Sequence, residues 1–449
     1  MKKLAKILIC MILCVFTMGL VACGDGGDDE FDNITGTVYG NGGMAVVKGE
    51  YVFFVNGFMK AEDMTDKEDN YTGDKVGALM VAKLDQNGEL VLDENDLLDD
   101  EYYKVLSTKL AGFEASDLSI YGDYLYFTSP CQQDAGKEWA KKRVDFCRIK
   151  LSGGDVERIY QSEVEHDKLE FAYYNNGGVY LMVWEKEANL DHAEIESALY
   201  CVDATSCDKK LVAEDVKSVS ISDNNAKYVY FVKTGDDGDV LVRYNYAGNK
   251  QDDIKTADSV EIKFADSDYV YIVQPSSESA TRKELARAAV EAGDQFVKVC
   301  YSDLYKELYL TPDGKAVIAV ADGYVDCYAF GHQGSNDLVP EDVDDSIKFV
   351  GIANGSFVYI SGDKTVKSVS YSDLISGNVP EIITVATVDG LDTTYFDIDD
   401  QYVYFYKTIN ETKYLHRLLI NNNENTSAEE MMGVYLDADM PEVETETEE

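Results

Sequence analysis

A short strand-like segment recurs along the whole chain, and it limits the fold more than any other feature. A glycine or an Asp/Asn turn is followed by an aromatic residue, a hydrophobic one, and then Tyr or Phe. Gly49-Glu50-Tyr51-Val52-Phe53-Phe54 is the first copy, and Gln401-Tyr402-Val403-Tyr404-Phe405 is the last. Aligned on Phe53, Tyr126, Tyr180, Tyr230, Tyr271, Ile318, Tyr359 and Tyr404, the copies lie 73, 54, 50, 41, 47, 41 and 45 residues apart. Steps in the forties, each with one β-rich anchor, predict the four-stranded blades of a β-propeller. The anchors are apolar on both faces. A strand enclosed between two neighbouring sheets requires that, because neither face meets water.

Within a unit the anchor reads as strand B. A short apolar run before it, such as Val216 to Ile221, reads as strand A. A run ending in a tight turn, such as Leu241 to Gly248, reads as strand C. The fold class expected is all-β: a single β-propeller of seven or eight four-stranded blades over residues 34–436, with one short helical insertion. That helix is expected in unit five. Thr281 and Glu284 have capping-box spacing, residues 285–292 are strong helix formers, and Gly293 would stop the helix. Unit five then looks short of a strand D, which leaves seven blades as the alternative to eight.

The stretch Leu310-Thr311-Pro312-Asp313-Gly314-Lys315 resembles the S-P-D-G-K signature of TolB-like and WD40-like propeller repeats. The wider pattern of anchor, short strand and tight turn is similar to uncharacterised propeller lipoproteins of Gram-positive bacteria. The resemblance spans roughly residues 33–436 and implies the architecture without implying a ligand.

The N-terminus has a different character. Lys2, Lys3 and Lys6 precede an almost unbroken apolar run from Ile7 to Leu20, and Leu20-Val21-Ala22-Cys23 follows. A charged start, a short apolar stretch and small residues have the form of a cleavable signal, too short for a stable membrane span. The cysteine after them resembles the bacterial lipoprotein signal, which implies a signal peptide at 1–22 and diacylglycerol on Cys23. Residues 23–33 then read as a lipid-anchored tether of about 15–20 Å reach. Residues 437–449 read as a disordered acidic tail. The expected location is outside the cytoplasm, held to the bacterial membrane by N-terminal lipid.

Charge excludes one class of partner. Against 40 Lys and Arg stand 84 Asp and Glu, a formal net charge of −44. Nucleic acid needs a basic face, so it is not expected as a partner. An anionic lipid surface repels such a chain, so the lipid and not charge would hold it at the membrane.

The longest insertions fall after strand B, near residues 57–75, 130–143, 185–196 and 275–293, and would decorate one face. Both tryptophans, Trp139 and Trp184, lie in or beside them. So do clusters of scarce basic residues: Lys141, Lys142 and Arg143, then Arg282, Lys283 and Arg287. Indole rings offer stacking and cations offer charge-assisted hydrogen bonds, so these residues are the candidate ligand contacts for an anionic or carbohydrate ligand. Six cysteines remain in the body of the chain. Cys131 and Cys147 flank the unit-two insertion, and Cys201 and Cys207 flank a turn, so each pair could form a disulfide.

No nucleophile elbow, zinc signature, phosphate loop or complete calcium loop occurs, and no cofactor is implied. The acidic runs Asp236-Asp237-Gly238-Asp239 and Asp342-Val343-Asp344-Asp345 could gather a calcium ion. Two functions remain. One is a non-catalytic extracytoplasmic module that binds a glycan, a peptide or a membrane protein at the cell surface. The other is a surface glycoside hydrolase or lyase that uses carboxylates on the propeller face.

Overall fold

The computed structural model describes residues 31–57, 77–94, 97–111, 118–134, 143–162, 166–187, 197–221, 227–290, 295–321, 324–331, 336–337, 347–362, 364–378, 381–410, 412–420 and 429–434. The chain divides into two units, Met1–Asn33 and Ile34–Glu449. Of the first, only residues 31–33 are described, as a turn and bends. The segments read as signal peptide and acidic tail, Cys23, and most of the segment read as a tether lie outside the described residues. The second unit is an eight-bladed β-propeller.

Each blade is a sheet of strands consecutive in sequence. All eight anchors fall on B strands: Tyr51–Val55, Tyr124–Pro130, Val179–Glu187, Val229–Gly235, Tyr269–Pro275, Ala316–Ala321, Ser356–Ile360 and Tyr402–Ile409. The A strands form the inner edges, because those of blades 1 and 2, 4 and 5, and 7 and 8 approach one another. The first sheet has a fifth strand, Val38–Tyr39, beside its A strand Ala45–Lys48.

Among the described residues, seven junctions between blades show a core of their own. Phe231 meets Met182 and Leu199 between blades 3 and 4, for example. The ring closes the same way, since Val52, Phe54 and Met80 of blade 1 pack with Tyr404, Tyr406 and Leu415 of blade 8. Among the described residues no strand is shared across that seam. Burial and a few polar links hold it instead. The side chain of Asn56, fully buried, accepts from the Val434 N–H and donates to the Val434 carbonyl, both at 3.2 Å. At the inner edge the carboxylate of Asp397 accepts from the Met44 N–H at 2.9 Å. A side chain on Gly43 would meet that carboxylate at 2.1 Å, so the position requires glycine.

Burial raises the Asp397 carboxyl to about 6, against the lowering effect of the Met44 and Ile398 N–H groups. The folded value lies above that of an unfolded Asp. The contribution of this group to stability is therefore complete below about pH 4 and is lost as pH rises through 6. Asp397→Asn should stabilise the chain at neutral pH by about 1–3 kcal/mol and flatten its pH dependence between 4 and 6. Urea unfolding across that range checks this, and an unchanged slope would contradict it.

An arginine recurs in the C strands of four blades. Arg148, Arg243, Arg287 and Arg417 lie directly across from the anchor tyrosines Tyr126, Tyr230, Tyr271 and Tyr404. Each guanidinium stacks on the tyrosine two residues before the anchor, at 4.8 Å from Tyr124, 4.8 Å from Tyr228, 4.4 Å from Tyr269 and 4.1 Å from Tyr402. In blades 2, 4 and 8 strand D sets an acid opposite the arginine. The pairs with Glu157, Asp252 and Glu430 close at 2.7, 3.3 and 2.7 Å. The guanidinium then crosses to the next blade. Arg148 donates to the Ala204 carbonyl, Arg243 to that of Val290 and Arg417 to that of Gly88. Arg287 stacks on Phe330 at 3.6 Å instead. All four targets lie between strands C and D of the following blade. These staples fix four junctions on the face that carries the A–B and C–D turns.

Two expectations about local structure fail. The unit-five segment read as a helix is strand C, Lys283–Ala289, paired with strand B from Pro275↔Lys283 to Tyr269↔Ala289. Its alanines and Leu285 are helix formers, but Leu285, Ala286 and Ala288 are buried between sheets, and tertiary packing overrides propensity. The strand Val297–Cys300 is therefore the fourth strand, and blade 5 is complete. The single α-helix among the described residues, α1 (Tyr371–Ser376), joins strands C and D of blade 7. Ser370 caps its start, and Gly377 ends it at φ +83°. From this helix the Tyr371 hydroxyl donates to Asp313 at 2.7 Å, which locks the Thr311–Lys315 turn of blade 6.

The expected disulfides are likewise absent: Cys131, Cys147, Cys201 and Cys207 are free thiols. Cys131 accepts from the Gln161 amide. Cys147 lies in a strand opposite Phe127. Cys201 faces Lys210 across its hairpin, whereas Cys207 stands in the turn at φ +62°, so the two are not cross-strand partners. Burial raises the Cys201 thiol to about 11, the behaviour of an inert packing group.

Candidate functional site

Alternation of strand direction puts the connections after strands B and D on one face, here the upper, and the A–B and C–D turns on the lower. Most of the insertions of units one to three, with Trp139, Lys141 and Lys142, lie outside the described residues. Arg143 is described. Its guanidinium pairs with the buried Asp134 at 3.0 and 3.1 Å, closing the base of the blade 2 connection.

Two expected ligand contacts do not serve that role. Trp184 is on strand B of blade 3 and is 3% exposed, with its indole N–H donating to the Val216 carbonyl at 3.2 Å. It fills the junction with blade 4 and offers no open ring. Arg287 is one of the four lower-face staples. Strand C carries it away from the upper end, where Lys283 begins that strand.

Arg282 and Lys283 remain; Lys283 lines a cavity of about 640 Å³ between blades 5 and 6, and Arg282 pairs with Asp303 of its lining. Lys263 enters it from strand A of blade 5 (Glu261–Ala265), Lys283 from strand C, and Lys306 from the connection between the blades. Glu261, Asp303 and Glu307 also line it, while Tyr305, Tyr309, Val273 and Leu308 supply ring and aliphatic surface. Across the chain acids outnumber bases about two to one, 84 to 40. Here they are equal, and each acid is already engaged. Glu261 pairs with Lys263 at 2.6 Å. Asp303 pairs with Arg282 at 3.4 Å and accepts from the Lys283 N–H at 3.1 Å. Glu307 accepts from the Tyr309 hydroxyl. Among the described residues the Lys283 ammonium has no carboxylate partner. The lining is therefore close to neutral on a strongly acidic protein, and it holds an ammonium, that of Lys283, without a carboxylate partner among the described residues.

Its aromatic wall is rigid. The Tyr305 hydroxyl donates to Asp326 at 2.6 Å and meets that of Tyr328, while the Tyr324 and Tyr328 rings pack edge-on at 6.2 and 6.1 Å. Burial and the neighbouring Asp326 push the Tyr305 hydroxyl far above its ordinary value, so it stays protonated. On the rim Leu304 and Tyr324 are 43% and 36% exposed, two of the few large apolar side chains left in water. Tyr305, Tyr309 and Lys306 were not singled out from sequence. Their signal was present in the run Ser302 to Leu310, the connection into blade 6.

The acidic runs considered for calcium do not form such a site where they are described. Asp239 pairs with Lys217 and accepts from the Val260 N–H. Asp342 to Asp345 lie outside the described residues. Among the described residues no group of three His, Cys, Asp or Glu could hold a metal ion.

No protein-family model and no curated protein matches the chain. Several solved structures do. An acylaminoacyl peptidase of Pyrococcus horikoshii is 12% identical with a TM-score of 0.40, over 69% of this chain and 51% of that one. The β-propeller domain of the trilobed protease of Pyrococcus furiosus is 13% identical with a TM-score of 0.44, over 72% and 98%. TolB of Acinetobacter baumannii is 12% identical with a TM-score of 0.32, over 68% and 76%. The chain spans about half the length of the acylaminoacyl peptidase. At these values the likeness is one of architecture alone.

Proposed function

We propose that this chain is an extracytoplasmic lipoprotein, anchored through Cys23, that acts as a non-catalytic binding module and takes a glycan, peptide or membrane protein partner on its upper face. The observation that carries the reading is the cavity between blades 5 and 6. It combines convergent lysines, a rigid tyrosine wall and an apolar rim on the face opposite the staples. The lower face is committed to holding the ring, which leaves the upper connections to vary without cost to the fold. The carboxylates in the cavity are tied to neighbours, which favours recognition over acid–base chemistry.

Joint replacement of Lys263, Lys283 and Lys306 by Gln should remove most partner capture in a pull-down from intact cells. Lys150→Gln with Lys210→Gln on the lower face should leave it unchanged. The reverse pattern would place function on the other face.

The anchor has its own test. Two acyl chains hold a protein stably, at about 0.8 kcal/mol per buried methylene. Cys23→Ala should release the protein into the medium or leave an uncleaved precursor. A variant that still partitions into detergent and is cut at the same position would refute lipidation.

A further inference from the structure

We infer that the ligand of the blade 5/6 cavity is an acidic oligosaccharide, held by its carboxylate near Lys283 and by stacking of a sugar ring on the tyrosine wall. The inference rests on the binding-face reading above and narrows it to one ligand chemistry.

Charge selects an anion. The three acids of the lining are each satisfied within the chain, by Lys263, by Arg282 with the Lys283 N–H, and by the Tyr309 hydroxyl. Glu261 and Asp303 already have cation partners, so a cationic ligand would compete there with Lys263 and Arg282. An anion meets Lys283 without displacing anything. The cationic groups available are ammonium heads, since Arg282 is held between Asp303 and the Tyr301 ring at 5.5 Å. Ammonium groups act as point charges on flexible stems and suit a carboxylate presented at varied angles. The bidentate fork typical of phosphate recognition is missing from the lining.

The remaining surface selects a sugar. A pyranose ring has an apolar C–H face and a rim of hydroxyls. The cavity offers the same mixture, with Tyr305, Tyr309, Val273 and Leu308 on one side and Ser302 with the charged side chains on the other. Tyr305 is fixed from behind by Asp326 and Tyr328, so stacking on it costs little ordering. A volume of about 640 Å³ lies in the range of sites that enclose a small oligosaccharide rather than a single small ion.

The test titrates the full-length lipidated protein in detergent micelles, by calorimetry, with trigalacturonic acid and with its methyl ester. The acid should bind about tenfold more tightly than the ester and weaken as salt is raised. Lys283→Gln should cost the acid about three- to tenfold and leave the ester unaffected. Lys283 is exposed, so this variant should fold. Lys150→Gln is the control on the lower face. Equal binding of acid and ester, or no binding of the acid at about 5 mM, would overturn the inference. An acidic tripeptide that binds in place of the sugar, with the same loss on Lys283→Gln, would overturn the sugar and keep the binding face. Acid binding that is lost in Lys150→Gln and kept in Lys283→Gln would overturn both.

Discussion

Replacing Arg417 by Met is expected to destabilise the folded chain by about 3–5 kcal/mol, the cost of breaking a buried ion pair by removing one partner. Arg417 is the most sealed of the four staples. Its side chain is 1% exposed, and it joins Glu430, the Gly88 carbonyl and the Tyr402 ring across the seam between blades 8 and 1. Without it, Glu430 at 23% exposure keeps a charge in a poorly solvated place, and the Gly88 carbonyl loses a donor. The same change at Arg148 should cost only about 1–2 kcal/mol, because its partner Glu157 is 50% exposed and water can replace the arginine. The double variant Arg417→Met with Glu430→Leu should recover part of the loss, since no charge is then stranded. Urea unfolding midpoints of the three variants check the order. Equal losses at Arg417 and Arg148 would show that burial does not set the strength of the staples.

Asn56→Ala should cost about 2–4 kcal/mol, far more than an ordinary Asn→Ala change. The Asn56 amide imitates one rung of a β-ladder between blade 1 and the segment that follows strand D of blade 8. Alanine would leave both the N–H and the C=O of Val434 without these partners and open a void where the amide is fully buried. The loss falls at the seam, where no described strand is shared between blades 8 and 1. Hydrogen exchange should therefore rise first in blade 8 and the start of blade 1, before blades 3 to 5 respond. A uniform rise around the ring would mean that the seam is no weaker than the other junctions.

The architecture was legible because the B strands are the most constrained part of each blade. With sheets on both sides, Phe53, Tyr126 and Tyr404 must be large and apolar whatever their neighbours do, and the repeat survives as a pattern. The staples were not legible. Their members are joined by cross-strand register, so the distance from anchor to arginine varies with the connection between strands B and C. It is 22 residues from Tyr126 to Arg148 and 13 from Tyr404 to Arg417. Arg287 was read as a ligand contact for the same reason, since position in sequence did not reveal which end of strand C it would occupy. Trp184 was misread because strand B runs on to Glu187, which leaves the ring inside the blade and not in the loop. The segment from Leu285 to Ala289 shows the limit of local propensity. Its composition favours a helix, but the space between two sheets admits only an extended strand with small side chains. At the cavity, Arg282 and Lys283 stood out as rare cations in an acidic chain. Tyr305 and Tyr309 did not, because tyrosine is common throughout the repeats.

The upper face at blades 5 and 6 is the surface proposed to meet the partner. Site-specific photo-crosslinking on intact cells tests this most directly, with a photoreactive side chain placed in turn at Leu304, Tyr324, Lys150 and Lys210. All four positions are exposed, so none should disturb the fold. Adducts with one discrete partner are expected from Leu304 and Tyr324, lost when Lys263, Lys283 and Lys306 are changed to Gln, and none from Lys150 or Lys210. Adducts from Lys150 and Lys210 alone would contradict this and assign binding to the face that carries the staples.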